Sequence, residues 1–566
     1  LPTHSNAVAG EPTMSDTDKD TSTAEISRRS LLAGVGVAGA GLAAFAAGAG
    51  KPVYAADRVT ARKGSGSTPK APFDSMRDWV AALEANGLLM RFDRIDQDKY
   101  EIPGLFFRAT DQYSMYGAPT MLFEEVKIDG KWMKGPVLIN LYGHWNTDAI
   151  IWNLPVVPGD HYATYNGAMV YLKDMLAKNG GKFPELPPVQ IPRAQAPCKE
   201  VVLKGDEIDL LKFPFVKTNP ADGGRYVNTG SHFMVDAKLG ANFGTYRAEI
   251  KGPRKLGINI EPNQTGDKFL KAAQKRGEKV VKYSIVLGQD PMVWLLSGTR
   301  LAPRFTDAPQ DELAIAGGMR GKPIEVVRSE DTDILIPAHA EFVIEGEVQL
   351  NGPFENEGPF GEMFGYLGPV KENNYVMTVN TVTHRRDPWF VNAMTGMQRA
   401  SVTAPADAMY SVLLGKQIPN FVAYTNPQDT MGFVVMSIDK KAAGEGLAAG
   451  LKVAQRNPIA KVVVVVDKDV NILDRREVIF AIGSRWQPFP ASKIIEDSFG
   501  LQTDPSQVKY TRTSKIVIDA TRQLPAEGGR EVFPQTNRAL LEQGAPGIFE
   551  HVDKLYGEAL RGWKRL

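Results

Sequence analysis

The chain has 566 residues, and its 66 Lys and Arg nearly cancel its 65 Asp and Glu. That balance excludes the basic excess by which nucleic-acid binders and proteins of anionic membranes hold their partners. The single cysteine, Cys198, forbids an internal disulfide and a Cys-based zinc site, and the 7 histidines form no HxxxH or HExxH pair that would point to a metal hydrolase. With 43% hydrophobic and 23% charged residues the composition is that of an ordinary globular protein, long enough for about three domains.

Residues 1–56 read as an export leader. The stretch SRRSLL, Ser27 to Leu32, runs into Ala, Gly, Val and Leu up to about Gly50, and small residues surround Ala55 and Ala56, where a signal peptidase would cut. The pair Arg28 and Arg29 resembles a twin-arginine (Tat) signal, and the Gly-rich, mildly apolar run suits that route better than a membrane span, the competing reading. Because the Tat translocase moves folded proteins, this address predicts an enzyme loaded with a cofactor before export, to the periplasm or beyond.

After the leader, a helix is predicted from Phe73 to Leu83, with Asp74 or Ser75 as N-cap, Met76, Trp79, Val80 and Leu83 on one face, and Gly87 as its stop. Thr120–Glu124 and Pro136–Asn140 read as strands, and the proline-rich stretch 183–197 as a linker or edge segment. From Lys199 to Thr383 the pattern is mainly β: His232–Asp236, Lys255–Ile260, Val281–Leu287 and Glu341–Val348 are strands, with a helix at Gln310–Met319. Short strands with glycine turns predict a barrel. Beyond Arg385 the chain turns α/β. Lys461–Asp467 is almost uniformly β-branched, as a strand buried on both faces of a parallel sheet would be, and a helix opens at Asp474. Further helix is expected in 533–566, anchored by Tyr556 and Trp563. The expected divisions are 57–198, 199–385 and 386–566.

Two segments carry chemistry: Asn242 to Arg247 (NFGTYR) and Glu357 to Tyr366 (EGPFGEMFGY). In the second, two carboxylates flank a Gly-Pro loop whose exposed backbone can press against a ligand. Neighbouring carboxyls repel, which raises the pKa of one, while a nearby arginine holds the other ionised. That gives one proton donor and one fixed charge. Taken alone, such residues are more often solvated surface. His232 and His384 read as core or surface histidines, His144 as a loop residue able to line a pocket, Trp389 and Phe390 as core, and Met363 and Phe364 as pocket walls riding on the Glu362 loop.

NFGTYR and EGPFGEMFGY resemble the two signature segments of the UbiD-type decarboxylases. Three more stretches agree in order: Asp311–Val327, Ile336–Val348 and Lys461–Ile482. The resemblance implies an α+β fold, with an N-terminal α/β region, a central split β-barrel holding a flavin, and a C-terminal α/β domain for dimer or hexamer contacts. It implies reversible non-oxidative decarboxylation of an aromatic acid with prenylated FMN, a cofactor made by a flavin prenyltransferase that takes up the electrons left when CO₂ departs. By the same resemblance Arg247, Glu357 and Glu362 are catalytic, Glu362 giving the proton. Asn242, Thr245, Tyr246, Gln264 and Lys461 would bind the cofactor, Lys461 at its phosphate. A divalent metal, Mn²⁺ or Mg²⁺, with K⁺ nearby, would be held by Asn242, Gln264 and Glu312. Gln264 stands where the family carries a histidine; an amide oxygen still suits a hard cation, more weakly. Two other readings stay open: a flavin or aromatic-acid binding protein on the same scaffold, and a redox enzyme using ordinary FMN.

Overall fold

A computed structural model describes residues 69–562 apart from 263 and 303–308, so the expected leader and Trp563 lie outside the described residues. The first helix, Met76–Ala85, begins as its sequence dictates. Ser75 and Asp78 form a reciprocal cap: the Asp78 N–H donates to the Ser75 hydroxyl at 3.3 Å and the Ser75 N–H to the Asp78 carboxylate at 3.1 Å. Met76, Trp79, Val80 and Leu83 are all buried, and Gly87, at φ +71°, turns the chain out of the helix.

The strand that follows, Leu89–Asp96, pairs in parallel with Thr120–Ile128, which forms a hairpin with Lys131–Ile139. The hairpin is longer than its apolar runs predicted. Asp129 and Gly130 both take positive φ, 52° and 75°, which is the two-residue turn whose twist matches its strands, and the polar outer halves pair because that turn fixes their register. Phe390–Val391 completes this four-stranded sheet on its far edge.

A curled ten-stranded half-barrel forms the centre. Its spine is the strand Lys371–His384, which pairs antiparallel with Lys255–Asn259, Phe342–Gln349, Glu355–Glu357 and Val201–Lys204. The ladder slips by one residue at Glu345/Gly346. A Cβ on Gly346 would lie 2.0 Å from the Thr378 carbonyl oxygen, so only glycine lets the two strands approach there. Ile258, Tyr283, Ile285, Ile344 and Met377 fill the interior at 0% exposure, each contributing on the order of 1.5–3 kcal/mol through burial.

The expected helix after residue 310 runs Glu312–Arg320, capped by Asp311 and closed by Gly321 at φ +69°. Cβ atoms on Gly317 and Gly318 would strike the Leu186 and Pro184 carbonyls, so the proline-rich stretch packs flat on this helix. Val189–Gln190 then pairs as an edge strand with Glu325–Arg328.

The last sheet has five strands in the order Phe421–Thr425, Phe433–Ile438, Val462–Asp467, Arg512–Ala520, Ser492–Phe499. Val462–Asp467 is flanked in parallel on both sides, and Val463 to Val466 are 0% exposed, as the β-branched run required. The C-terminal helices are Asn537–Gly544 and Ile548–Gly562, but Tyr556 is 57% exposed and is no buried anchor among the described residues. Its helix carries an apolar stripe, and the exposed Leu555 and Leu560 share its fate, so apolar character marked that stripe without naming what covers it. Among the described residues no helix is long and apolar enough to cross a membrane.

One buried ion pair ties the N-terminal region to the segment leading into the last sheet. The Arg399 guanidinium and the Asp148 carboxylate are both 0% exposed and 2.5 Å apart. Asp148 also accepts from the Thr403 and Ala404 N–H groups at 3.0 and 2.9 Å, and Arg399 lies 4.7 Å from the Tyr116 ring. Asp148→Ala leaves a buried cation unpaired and is expected to cost about 3–5 kcal/mol of stability, read from urea denaturation midpoints.

Candidate active site

Arg247 opens the strand Arg247–Gly252, directly after the NFGTY segment, and its guanidinium points under the Gly-Pro loop. Its Nε and Nη2 donate to the two carboxylate oxygens of Glu357 at 2.8 and 2.7 Å, and its Nη1 donates to Glu362. Glu357 is 0% exposed, Arg247 9% and the Glu362 side chain 12%. The Phe360 ring covers the guanidinium at 4.9 Å, and Tyr226 packs on Phe360 at 4.4 Å. Bidentate geometry and an aromatic lid are arrangements that a guanidinium accepts and an ammonium does not.

The loop is pinned along its length. The Gly358 N–H donates to Glu249 at 2.9 Å, the Gly361 N–H to Asp222 at 3.0 Å, and the Gly223 N–H to the Pro359 carbonyl at 2.7 Å. A Cβ on Gly223 would sit 2.4 Å from the Gly358 carbonyl oxygen, and one on Gly368 2.8 Å from the Glu362 Cγ. Glycine at these positions is what lets the loop fold down onto Arg247.

One cation thus faces two carboxylates in a confined space. Glu357 takes two of the arginine's hydrogen bonds in parallel. Burial raises the pKa of Glu362, and the charge and hydrogen bond of Arg247 oppose that rise. Protonating Glu362 leaves the buried set neutral, which low polarity favours. The structure thus brings together the arginine and two carboxylates that the sequence singled out, with both carboxylates on one cation.

The cofactor and metal candidates cluster around the Tyr246 hydroxyl. That oxygen accepts from the Gly266 N–H at 3.0 Å, and Cβ atoms on Gly244 or Gly266 would each lie 2.9 Å from it. Burial pushes the Tyr246 phenol up, with Asn242 and Glu312 among the groups that act on it. Asn242 is 2% exposed, and neither atom of its carboxamide has a hydrogen-bond partner among the described residues. Gln264 caps the helix Thr265–Lys275 and accepts from the Glu261 N–H at 2.8 Å. Thr245 exchanges a 2.6 Å hydrogen bond with Ser297. Lys461 stands apart, with its ammonium 3.1 Å from Asp504 and in contact with Ser506. No group of three or more His, Cys, Asp or Glu that could hold a metal occurs among the described residues, so a metal here depends on amide oxygens.

The remaining candidates resolve into packing. His232 is fully buried, 3.1 Å from the Tyr283 hydroxyl, and burial pushes its pKa down to about 3. His384 stacks on Phe342 at 5.5 Å. His144 accepts from the Asn146 N–H at 3.1 Å and is pushed down to about 4 by burial and the nearby Arg399. Burial raises the Cys198 thiol to about 12, so it is inert. Phe390 is core, whereas Trp389 is half-buried beneath Arg77 at 5.0 Å. Met363 is exposed. Phe364 reaches across to Gly432 and Lys461 in the last sheet: a Cβ on Gly432 would lie 3.6 Å from its ring. Sequence reasoning missed Tyr226, Asp222 and Glu249, which hold the loop, and Glu261, Lys371 and Tyr510 beside it. Lys371 lies opposite Glu357 in the ladder, a placement that the loop-like Lys-Glu-Asn-Asn opening of its strand did not signal.

Comparison with known proteins agrees with this geometry. The Rift-related domain of 3-octaprenyl-4-hydroxybenzoate carboxy-lyase (UbiD) matches residues 189–398, and the C-terminal domain of the same family matches 401–520. The fold is similar to that of the UbiD-class enzyme HmfF from Pelotomaculum thermopropionicum, solved in complex with FMN. That likeness has 29% identity and a TM-score of 0.68, over 84% of this chain and 98% of HmfF. It is also similar to vanillic acid decarboxylase from Sedimentibacter hydroxybenzoicus, with 26% identity and a TM-score of 0.70, over 87% of this chain and all (100%) of that one. A protein of Aeropyrum pernix is 28% identical over 482 residues, 82% of this chain and 95% of its own.

Proposed function

Because the chain belongs to the UbiD family of carboxy-lyases, we propose that it decarboxylates an aromatic carboxylic acid with prenylated FMN, Glu362 supplying the proton. The observation that carries this reading is Arg247 bracketed by Glu357 and Glu362 in one buried set. HmfF has been solved in complex with prenylated FMN in an evolved dimeric form, which supports both the cofactor and a homo-oligomer here, a dimer or hexamer. The two flavin readings without decarboxylation leave this charge arrangement unused.

When bound, the flavin would supply an electron sink for the pair left on the ring carbon as CO₂ leaves. The chain supplies the rest. Glu357 fixes the Arg247 guanidinium along its Nε–Nη2 edge, so Nη1 is left to Glu362 and to an incoming carboxylate. Glu362, with its raised pKa, keeps a proton to deliver to the ring carbon from its place on the pinned loop. Phe360 and the burial of Glu357 keep water from the guanidinium, which strengthens each of these interactions. Glu362→Gln is expected to lower turnover of vanillic or dihydroxybenzoic acid, or of another acid in an aromatic panel, by about 10²–10⁴-fold. Full turnover in that variant would sink the proton-donor role.

Asn242, Gln264 and Glu312 fit a hard divalent cation that anchors the flavin phosphate. All three offer oxygen, and Asn242 has a buried carboxamide whose bonding capacity is otherwise unused. K⁺ would sit beside it, and Lys461 would meet the phosphate once released from Asp504. Asn242→Ala should weaken Mn²⁺ binding about tenfold, a loss on the order of 1.4 kcal/mol, and Gln264→His should tighten it, both read by titration of the metal alone. Equal affinities in all three proteins would exclude this site.

The leader completes the proposal: a flavin prenyltransferase loads the enzyme in the cytoplasm, and the Tat translocase exports it folded, with cleavage near Ala55/Ala56. Replacing Arg28 and Arg29 with lysine should retain the protein, uncleaved, in the cytoplasmic fraction. Unchanged export would refute the route.

A further inference from the structure

A second charged set lies against the first and has no part in the reaction as described so far. Glu261 follows the strand Lys255–Asn259, whose last residue pairs with Arg247. Lys371 begins the spine strand, opposite Glu357. Their side chains meet at 2.8 Å, with side-chain exposures of 9% for Glu261 and 19% for Lys371. The other Glu261 oxygen accepts from the Tyr510 hydroxyl at 2.8 Å, and the Lys371 ammonium lies 5.8 Å from the Tyr510 ring centroid. Tyr510 comes from elsewhere, on the connection between the strands Ser492–Phe499 and Arg512–Ala520 of the last sheet. Asp504 and Ser506, on the same connection, hold Lys461.

We infer that Lys371, Glu261 and Tyr510 are positioning residues for Glu362: an ion pair set by the ladder against the Arg247–Glu357 pair that Glu362 joins, and held by a hydroxyl from the connection before the strand Arg512–Ala520. The inference rests on the reading of Glu362 as proton donor. Three charged groups, Arg247, Glu261 and Lys371, act on the Glu362 carboxyl. Arg247 touches it from the strand Arg247–Gly252, and Glu357 shares that arginine from the other end of the loop. Glu261 raises the pKa of Glu362 and Lys371 lowers it. With the pair intact the two opposite effects largely cancel, and Glu362 is governed by burial and Arg247. With the pair broken, the proton donor feels one unbalanced charge. Tyr510 stabilises the Glu261 carboxylate in place, so docking of the C-terminal connection is a condition for the balance.

The signs make a test that a merely structural role would not pass. In the full-length protein labelled with ¹³C-carboxyl glutamate, the Glu362 resonance is assigned by its loss in Glu362→Gln and titrated with pH. Lys371→Met leaves Glu261 unbalanced and should raise the Glu362 pKa by about half to one unit. Glu261→Gln leaves Lys371 unbalanced and should lower it by a similar amount. The double variant removes both charges and should return it to near the wild-type value. Tyr510→Phe loosens the Glu261 carboxylate, so it should lower the Glu362 pKa by less than Glu261→Gln does, and should add nothing in the Glu261→Gln background. In turnover, the alkaline limb of the kcat/KM profile should move with each shift, since activity is lost as pH rises through the pKa of the acid.

A general folding defect moves both single variants the same way, and that result would overturn the inference, as would an unmoved Glu362 in both. An equal Tyr510→Phe shift with and without Glu261 would remove Tyr510 from the set. The two ideas fail separately. Full turnover in Glu362→Gln rejects the proton-donor reading, whereas an inactive Glu362→Gln alongside unshifted titrations rejects only the positioning set.

Discussion

The buried guanidinium of Arg247 is the constraint on which the site is built. It is 9% exposed and has to be neutralised, and the bidentate contact with Glu357 does that at once. A second carboxylate brought to the same cation is then surplus charge, and burial raises its pKa while Arg247 opposes the rise. The acidity proposed for Glu362 is therefore not a property of Glu362 alone. It follows from placing two carboxylates and one arginine where water is scarce. The backbone rules serve that placement, through the glycines that let the Glu357–Glu362 loop lie down and the Asp222 and Glu249 carboxylates that bind its N–H groups.

The elements that deliver these groups come from distant parts of the chain. Arg247 and Asn259 pair on adjacent strands of the half-barrel, and Glu357, 110 residues beyond Arg247, comes from a strand laid on the spine. The final sheet contributes at its edges: Phe364 reaches Gly432, and Tyr510 reaches Glu261. The half-barrel thus sets the charges, and contacts from the C-terminal sheet set their surroundings. A buried pair, Arg399 with Asp148, fixes the segment that joins the two.

Much of this was legible before any coordinates. The run Lys461–Asp467 declared a doubly covered parallel strand because its β-branched residues suit burial on both faces, and four valines in a row, Val463 to Val466, are buried there. Ser75 declared a helix start because its hydroxyl has an N–H to serve. Other parts were silent for physical reasons. The helix Pro291–Gly298 is nearly all apolar and buried on every side, so it has no polar face to give it a period. The spine strand Lys371–His384 opens with Lys, Glu, Asn and Asn, which resemble a loop until four neighbouring strands are seen to pair with it. Of the site, the arginine and the two glutamates were recognisable from their segments. Tyr510, Glu261 and Lys371 were not, because their relation is set by the meeting of two sheets and leaves no spacing in the sequence.

The spine strand has a consequence for how this enzyme can change. Four strands take their register from it, and a strand's side chains alternate between faces with every residue. One inserted or deleted residue there would upset the pairing of Glu357's own strand and of the three others. Loops such as Met363–Tyr366 and the connection that carries Tyr510 can change length without that cost. The spine itself is closed to insertion, and the charge arrangement it carries stays locked.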